Sequence, residues 1–111
     1  MLTLDEHAPV GQIDDPFRVR YFDDVMDAGL YARLLETFPA LSAEDNSYAS
    51  VGLKNRLCDR DGGFDEVMAD REEWAAFYSW LQENFVELCA RVVAPSTRRR
   101  ARVRFEFSSL P

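Results

Sequence analysis

The stretch that decides the fold is DREEWAAFYSWLQENFVELCARV, residues 70–92. Its apolar side chains recur at steps of one, three and four, so a helix would carry them along one face for about six turns. They are Trp74, Phe77, Tyr78, Leu81, Phe85, Leu88, Cys89 and Val92. Asp70 followed three residues later by Glu73 resembles a capping box. Pro95 ends the predicted helix, because proline disfavours helical backbone at the residue before it.

A strand and a helix are predicted ahead of this segment. Residues 17–22 alternate apolar and polar, which places Phe17, Val19 and Tyr21 on one face of a strand. Asp27 is a candidate N-cap, since its carboxylate can accept a hydrogen bond from a free amide of the first turn. The helix that follows runs to about Phe38 and has one apolar stripe. The stripe contains Leu30, Tyr31, Leu34, Leu35 and Phe38.

Shorter signals complete an α+β pattern. Residues 40–50 read as a loop, 51–58 as a short strand, 59–63 as a turn and 64–68 as a short helix. A last strand is predicted over residues 102–110, where apolar and polar residues alternate. Val103, Phe105 and Phe107 share one of its faces, and Arg102, Arg104, Glu106 and Ser108 share the other. We therefore expect helices packed against a few antiparallel strands, in one domain over residues 16–111 after a flexible lead-in, residues 1–15.

Composition and charge exclude several classes of partner. Hydrophobic residues make up 47% of the 111 residues and aromatics 13%, so a packed core is expected. The formal net charge of −7 and the pI near 4.6 oppose attraction to nucleic acid or anionic lipid. No apolar run approaches the ~18 residues of a membrane span, and no basic targeting segment is present at the amino terminus. The sequence predicts a cytoplasmic protein that binds neither nucleic acid nor membrane.

Reactive side chains are few. His7 is the only histidine, and it lies far along the chain from Cys58 and Cys89, so no metal-ligand spacing and no catalytic residue is predicted. Both cysteines are expected to be buried free thiols. The run Arg98-Arg99-Arg100 is the one basic cluster. It would bind an anionic substrate or partner, or, as the more ordinary interpretation, form a solvated connector.

Three stretches in this order resemble the opening half of the Fe(II)/2-oxoglutarate-dependent oxygenase superfamily, in its prolyl-hydroxylase-like branch. The first is PFRVRYFDDVMDAGLYARLLETFPAL, residues 16–41. The second runs from LKNRLCD, residues 53–59, to EEWAAFYSWLQENFVELCARVV, residues 72–93. The third is RARVRFEFSSLP, residues 100–111. The resemblance covers residues 16–111, and its specificity comes from the order of the segments, because none of them is catalytic.

The resemblance implies a double-stranded β-helix, or jelly roll, of which these residues would be the helical support and first strands. It also implies Fe(II) held by a His-x-Asp pair and a later His, with 2-oxoglutarate held by an Arg or Lys. All of these lie in the half that would follow residue 111. We therefore expect these 111 residues alone to bind no cofactor and to be inactive, with the carboxy-terminal half or another protein chain as partner.

Within these residues, the polar face of the last strand is the candidate pocket wall. The resemblance places this strand just before the metal ligands, so Arg104, Glu106 and Ser108 are candidate pocket-lining residues. An alternative role for Glu106 is an ion pair with a neighbouring arginine across the sheet. The alternative function is a non-catalytic α+β interaction module, which the scarcity of reactive groups favours.

Overall fold

The computed structural model describes residues 1–41, 55–94 and 102–109, which form three helices and two small antiparallel sheets. The elements in chain order are β1 (Gly11–Ile13), β2 (Val19–Tyr21), α1 (Ala28–Glu36), β3 (Asn55–Cys58), α2 (Phe64–Ala69), α3 (Glu72–Val92) and β4 (Glu106–Ser109). The α+β class expected from the sequence is confirmed. None of the helices in this described part is both long enough and apolar enough to cross a bilayer.

The chain divides into two compact units. The first unit contains the described residues within 1–32 and 79–103, and the second contains those within 33–78 and 104–109. Predictions for residues 42–54, 95–101 and 110–111 lie outside the described residues. These include most of the loop over 40–50, the first half of the strand over 51–58, the proline stop of the long helix and the Arg98–100 cluster.

In the first unit, β1 pairs antiparallel with β2, and Gly11 lies opposite Tyr21 and Ile13 opposite Val19. A further backbone hydrogen bond joins the Thr3 N–H to the Val25 carbonyl at 2.8 Å. The residues expected to be a flexible lead-in therefore contain a paired strand. The sequence did not predict β1 because residues 1–16 lack alternation, and its pairing comes from the partner strand.

The helix α1 begins where the sequence places it. The Asp27 carboxylate accepts a hydrogen bond from the Leu30 N–H at 3.0 Å, which confirms the N-cap. The helix ends at Glu36, two residues before the predicted end. Only Leu34 of the expected apolar stripe is buried, whereas Tyr31 and Leu35 are 60% and 63% exposed.

The long helix is confirmed as α3, but its predicted capping box is not formed. Asp70 is the C-cap of α2, which ends one residue earlier, and its side chain makes no hydrogen bond with another described residue. Glu73 instead lies 3.8 Å from the Arg33 guanidinium. The backbone of Asp70, with φ −99° and ψ 4°, is not the extended conformation that an N-cap residue usually adopts, which explains the difference.

The core of the second unit lies between β3, β4, α2 and the start of α3. Leu57 and Phe107 are directly opposite each other in the antiparallel β3–β4 pair, and each is 1% exposed. Phe64 and Met68 of α2 complete the buried cluster, against which Trp74 packs. The predicted alternation around Phe105 and Phe107 is confirmed, although β4 is shorter than the predicted strand. The same alternation sends the neighbouring polar side chains to the other face of the pair.

Candidate ligand-binding cleft

A cleft of about 500 Å³ lies on the polar side of β3 and β4 in the second unit. Its position follows from the two-residue period of a strand, because Leu57 and Phe107 face the core while their sequence neighbours face away. We call it the arginine cleft. Its lining residues are Arg56, Cys58, Arg60, Asp61, Arg104, Phe105 and Glu106.

Backbone hydrogen bonds fix the turn that closes one end of the arginine cleft. The Asp61 carboxylate accepts from the Cys58 N–H at 2.8 Å, and the Asp61 N–H donates to the Cys58 carbonyl at 2.9 Å. The Asp59 N–H donates to the Phe105 carbonyl at 3.0 Å, which extends the pairing of the two strands. An aspartate that binds a nearby backbone amide is typical of such turns, so the turn positions Arg60 and Asp61 beside β4.

The candidate residues from the sequence occupy different places. Arg104 and Glu106 line the arginine cleft, whereas Ser108 does not. The Ser108 hydroxyl donates to Glu106 Oε1 at 2.8 Å, and Glu106 Oε2 lies 3.3 Å from Arg56 Nε. The cross-strand ion pair considered for Glu106 is therefore present. Ser108 is therefore linked to the cleft through its hydrogen bond to the carboxylate of Glu106, which is a lining residue.

Arg56, Arg60 and Asp61 were not identified as site residues from the sequence. The alternation of Arg56, Leu57 and Cys58 predicts only that Arg56 and Cys58 share a face, and the β3–β4 register is needed to bring that face beside β4. That alternation places Arg56 on the same face as Glu106, because Arg56 is opposite Ser108 in the register.

Asp59 connects the turn to α3. Its Oδ1 accepts from the Cys58 thiol at 3.4 Å, and its Oδ2 accepts from the Tyr78 hydroxyl at 3.2 Å. Burial raises the pKa of Tyr78 above its ordinary value, and the negative charge of Asp59 and its hydrogen bond raise it further. The neutral phenol is therefore the form that the folded protein favours.

The raised pKa of Tyr78 predicts that the free energy of unfolding falls in alkaline solution. Its pKa is higher in the folded than in the unfolded protein, so its contribution is fully present below about pH 10, the ordinary tyrosine value. The contribution is lost as the pH rises from there through the folded pKa. We expect Tyr78→Phe to cost about 1 kcal/mol near neutral pH and to flatten the alkaline decline in the free energy of unfolding.

Chemical denaturation of both proteins across the alkaline range measures this effect. Tyr21→Phe, at a tyrosine that is 50% exposed, is the matched control and should keep the wild-type slope. An alkaline decline that is equally steep in Tyr78→Phe would contradict the assignment.

The remaining reactive groups are dispersed. The His7 side chain is 88% exposed and lies 3.8 Å from Glu6. Cys58 and Cys89 are free, but both are half-buried rather than fully buried as expected. Burial raises the pKa of the Cys89 thiol. Within residues 1–41, 55–94 and 102–109, no three potential metal ligands among His, Cys, Asp and Glu come together.

Comparisons of the chain with protein-family models, with curated proteins and with solved structures find no match. The relationship to oxygenases therefore stays a prediction from the order of the sequence segments. The geometry of the arginine cleft and the arrangement of the β3–β4 pair are the structural observations on which a function can be argued.

Proposed function

We propose that residues 16–111 form the amino-terminal portion of an Fe(II)- and 2-oxoglutarate-dependent oxygenase domain. The order of the elements supports this: β2 precedes α1, α1 is followed by Phe38-Pro39, and α3 carries Trp74 near its start. The strand β4 then contains Glu106, Phe107 and Ser108 of the third resembling stretch, residues 100–111. Such an enzyme couples decarboxylation of 2-oxoglutarate to hydroxylation of an unactivated C–H bond.

The observation that carries the proposal is the two-stranded β3–β4 sheet. Within the described residues, β3 and β4 pair only with each other. One face of the pair is covered by the aromatic core, and within the described residues neither strand has a second hydrogen-bonded neighbour. A two-stranded sheet gains stability from packing against helices, as here, or from further strands. The pair is therefore suited to be the first strands of a larger sheet, as a jelly roll requires.

The described residues do not fit an iron site, because they bring no three potential ligands together. The resemblance implies that the metal and 2-oxoglutarate ligands lie in a portion after residue 111, so no chemical step is derived from the residues present. Their part in the proposal is structural, with one exception. Arg104 and Glu106 would form a wall of the substrate pocket, and Ser108 would hold the Glu106 carboxylate in position.

The coding sequence beyond residue 111 tests the proposal first. We expect it to encode a His-x-Asp pair and a later His. The extended protein should then form succinate from 2-oxoglutarate in an Fe(II)-dependent manner, and replacing the histidine of the pair with alanine should abolish this. The 111-residue chain in the same assay is the control and should be inactive. An extended reading frame without the pair, or turnover that survives its removal, would contradict the proposal.

A non-catalytic interaction module is the second candidate, and one observation favours it. In the first unit, Val10, Phe17 and Tyr31 are 66%, 75% and 60% exposed. Where such side chains form one contiguous patch, they mark a surface that another protein covers. Hydroxyl-radical footprinting of the extended protein separates the two candidates. Protection of Phe17 and Tyr31 in the monomer favours the oxygenase, whereas continued exposure favours the module.

A further inference from the structure

The arginine cleft contains more positive than negative charge, although the whole chain has a net charge of −7. Three arginines and two carboxylates line it. Both carboxylates are engaged: Asp61 accepts from the Cys58 N–H at 2.8 Å, and Glu106 accepts from Ser108 and pairs with Arg56 at 3.3 Å. The negative charges of the cleft are thus partly compensated by the protein itself.

Arg56 is the arginine of the cleft that pairs with a carboxylate, and the other two arginines differ from it. Arg60 and Arg104 make no hydrogen bond or ion pair with any residue in the described part of the chain. They reach the cleft from different segments, Arg60 from the turn after β3 and Arg104 from the segment before β4. A guanidinium presents a planar fork of N–H donors that matches the oxygens of a carboxylate or phosphate. Two such forks in one cleft are a natural anion-binding arrangement.

We propose that the arginine cleft binds the oxyanion of a small ligand, a phosphate or carboxylate group, through Arg60 and Arg104. Phe105 packs at the border of the core cluster but is only partly buried and also lines the cleft, so it would supply apolar surface for the part of the ligand next to the anion. Phe105 is held by edge contacts with Tyr78 and Phe107, at ring-centroid distances of 5.4 and 5.2 Å. It is therefore a fixed surface rather than a side chain that must be ordered on binding.

Size and charge select a small molecule over a polyanion. A volume of about 500 Å³ lies within the usual range for small-molecule sites. A nucleic acid would meet the net charge of −7 beyond the cleft, which opposes binding of an extended phosphate backbone. A single oxyanion responds mainly to the groups within about one Debye length, ~10 Å at 0.1 M salt.

The test uses phenyl phosphate, benzoate and inorganic phosphate as probes, with binding followed by calorimetry and by NMR of the isotope-labelled chain. We expect phenyl phosphate to bind in the millimolar range or tighter and to shift the amide signals of residues 58–61 and 104–106. Its affinity should fall as the salt concentration rises. Stronger binding of phenyl phosphate than of inorganic phosphate identifies the apolar contribution, and comparison with benzoate distinguishes a phosphate from a carboxylate ligand.

Variants assign the binding to the two arginines. Arg60→Gln and Arg104→Gln should each weaken phenyl phosphate binding about tenfold, the usual effect of losing a charge-assisted hydrogen bond. Arg102→Gln removes the same charge from an exposed arginine that does not line the cleft, and should leave the affinity unchanged. Glu106→Gln should tighten binding roughly two- to fivefold, because it removes an opposing charge and the ion pair with Arg56.

The variants are expected to fold, since the Arg60 and Arg104 side chains have no partner to lose among the described residues. If one does not, the signals that move in the wild-type chain still decide the question. Absence of binding at millimolar probe, signals that move only elsewhere, or equal losses in Arg60→Gln and Arg102→Gln would overturn the proposal. It rests on the arginine cleft alone and needs neither iron nor 2-oxoglutarate, so its failure and that of the proposed oxygenase function are separate results.

Discussion

Replacing Phe107 with alanine is expected to lower the free energy of unfolding of the second unit by about 3–5 kcal/mol. Phe107 is 1% exposed and makes ring contacts with four aromatic side chains. The centroid distances are 5.4 Å to Phe38, 6.1 Å to Phe64, 4.9 Å to Trp74 and 5.2 Å to Phe105. Alanine loses the transfer free energy of the ring and leaves a cavity that rigid neighbouring rings cannot fill. Chemical denaturation followed by tryptophan fluorescence and circular dichroism measures the loss.

Phe17→Ala is the matched control for Phe107. The same atoms are removed from a side chain that is 75% exposed, so a change within about 0.5 kcal/mol is expected. Small domains are stable by only about 5–15 kcal/mol. If Phe107→Ala leaves too little folded protein for a full curve, Phe107→Leu, expected to cost roughly 1–2 kcal/mol, gives the measurement. Equal costs at positions 17 and 107 would contradict the assignment of the core.

The sequence predicted those elements whose signal is contained in their own residues. The apolar face of α3 repeats over 21 residues, and the carboxylate of Asp27 acts on a backbone amide three residues away. The alternation of Phe105 and Phe107 likewise predicts which face of β4 is buried. Local periodicity and local hydrogen bonding therefore carry most of the α+β architecture.

Features that depend on a partner segment were not predicted. The strand β1 has no alternation of its own and is defined by its pairing with β2. The sequence predicted a capping box that begins at Asp70, but Asp70 is the C-cap of α2, which ends at Ala69. The sequence predicted one apolar stripe along α1, but only Leu34 of that stripe is buried, and Tyr31 and Leu35 are exposed. Periodicity identifies an apolar face but contains no information about what covers it.

The arginine cleft shows the same limit. Arg104 and Glu106 were identified because they share the polar face of a predicted strand. Arg56 and Arg60 lie far from Arg104 and Glu106 in the sequence. The β3–β4 register is what brings the two pairs into the same cleft. A register between distant strands cannot be read from either strand alone. The half of the cleft that β4 supplies was therefore predictable, whereas the half supplied by β3 and its turn was not.

Leu57→Ala is expected to lower the free energy of unfolding of the second unit by about 2–5 kcal/mol. Leu57 is 1% exposed, lies opposite Phe107 and belongs to the cluster of Phe64 and Met68. Leu35→Ala makes the same change within the second unit at a side chain that is 63% exposed. Since alanine is at least as good a helix former as leucine, the control should change stability by no more than about 0.5 kcal/mol. Denaturation curves for the two variants isolate the effect of burial.

The same variant tests whether the two faces of β3 act independently. Leu57 faces the core, while its neighbours Arg56 and Cys58 line the arginine cleft. If binding depends on the polar face alone, a saturating oxyanion should raise the free energy of unfolding of Leu57→Ala and of the wild type by the same increment, because that increment depends only on ligand concentration and affinity. A smaller increment in Leu57→Ala would contradict independence. It would mean that the buried leucine holds the strand in the conformation that binds the anion.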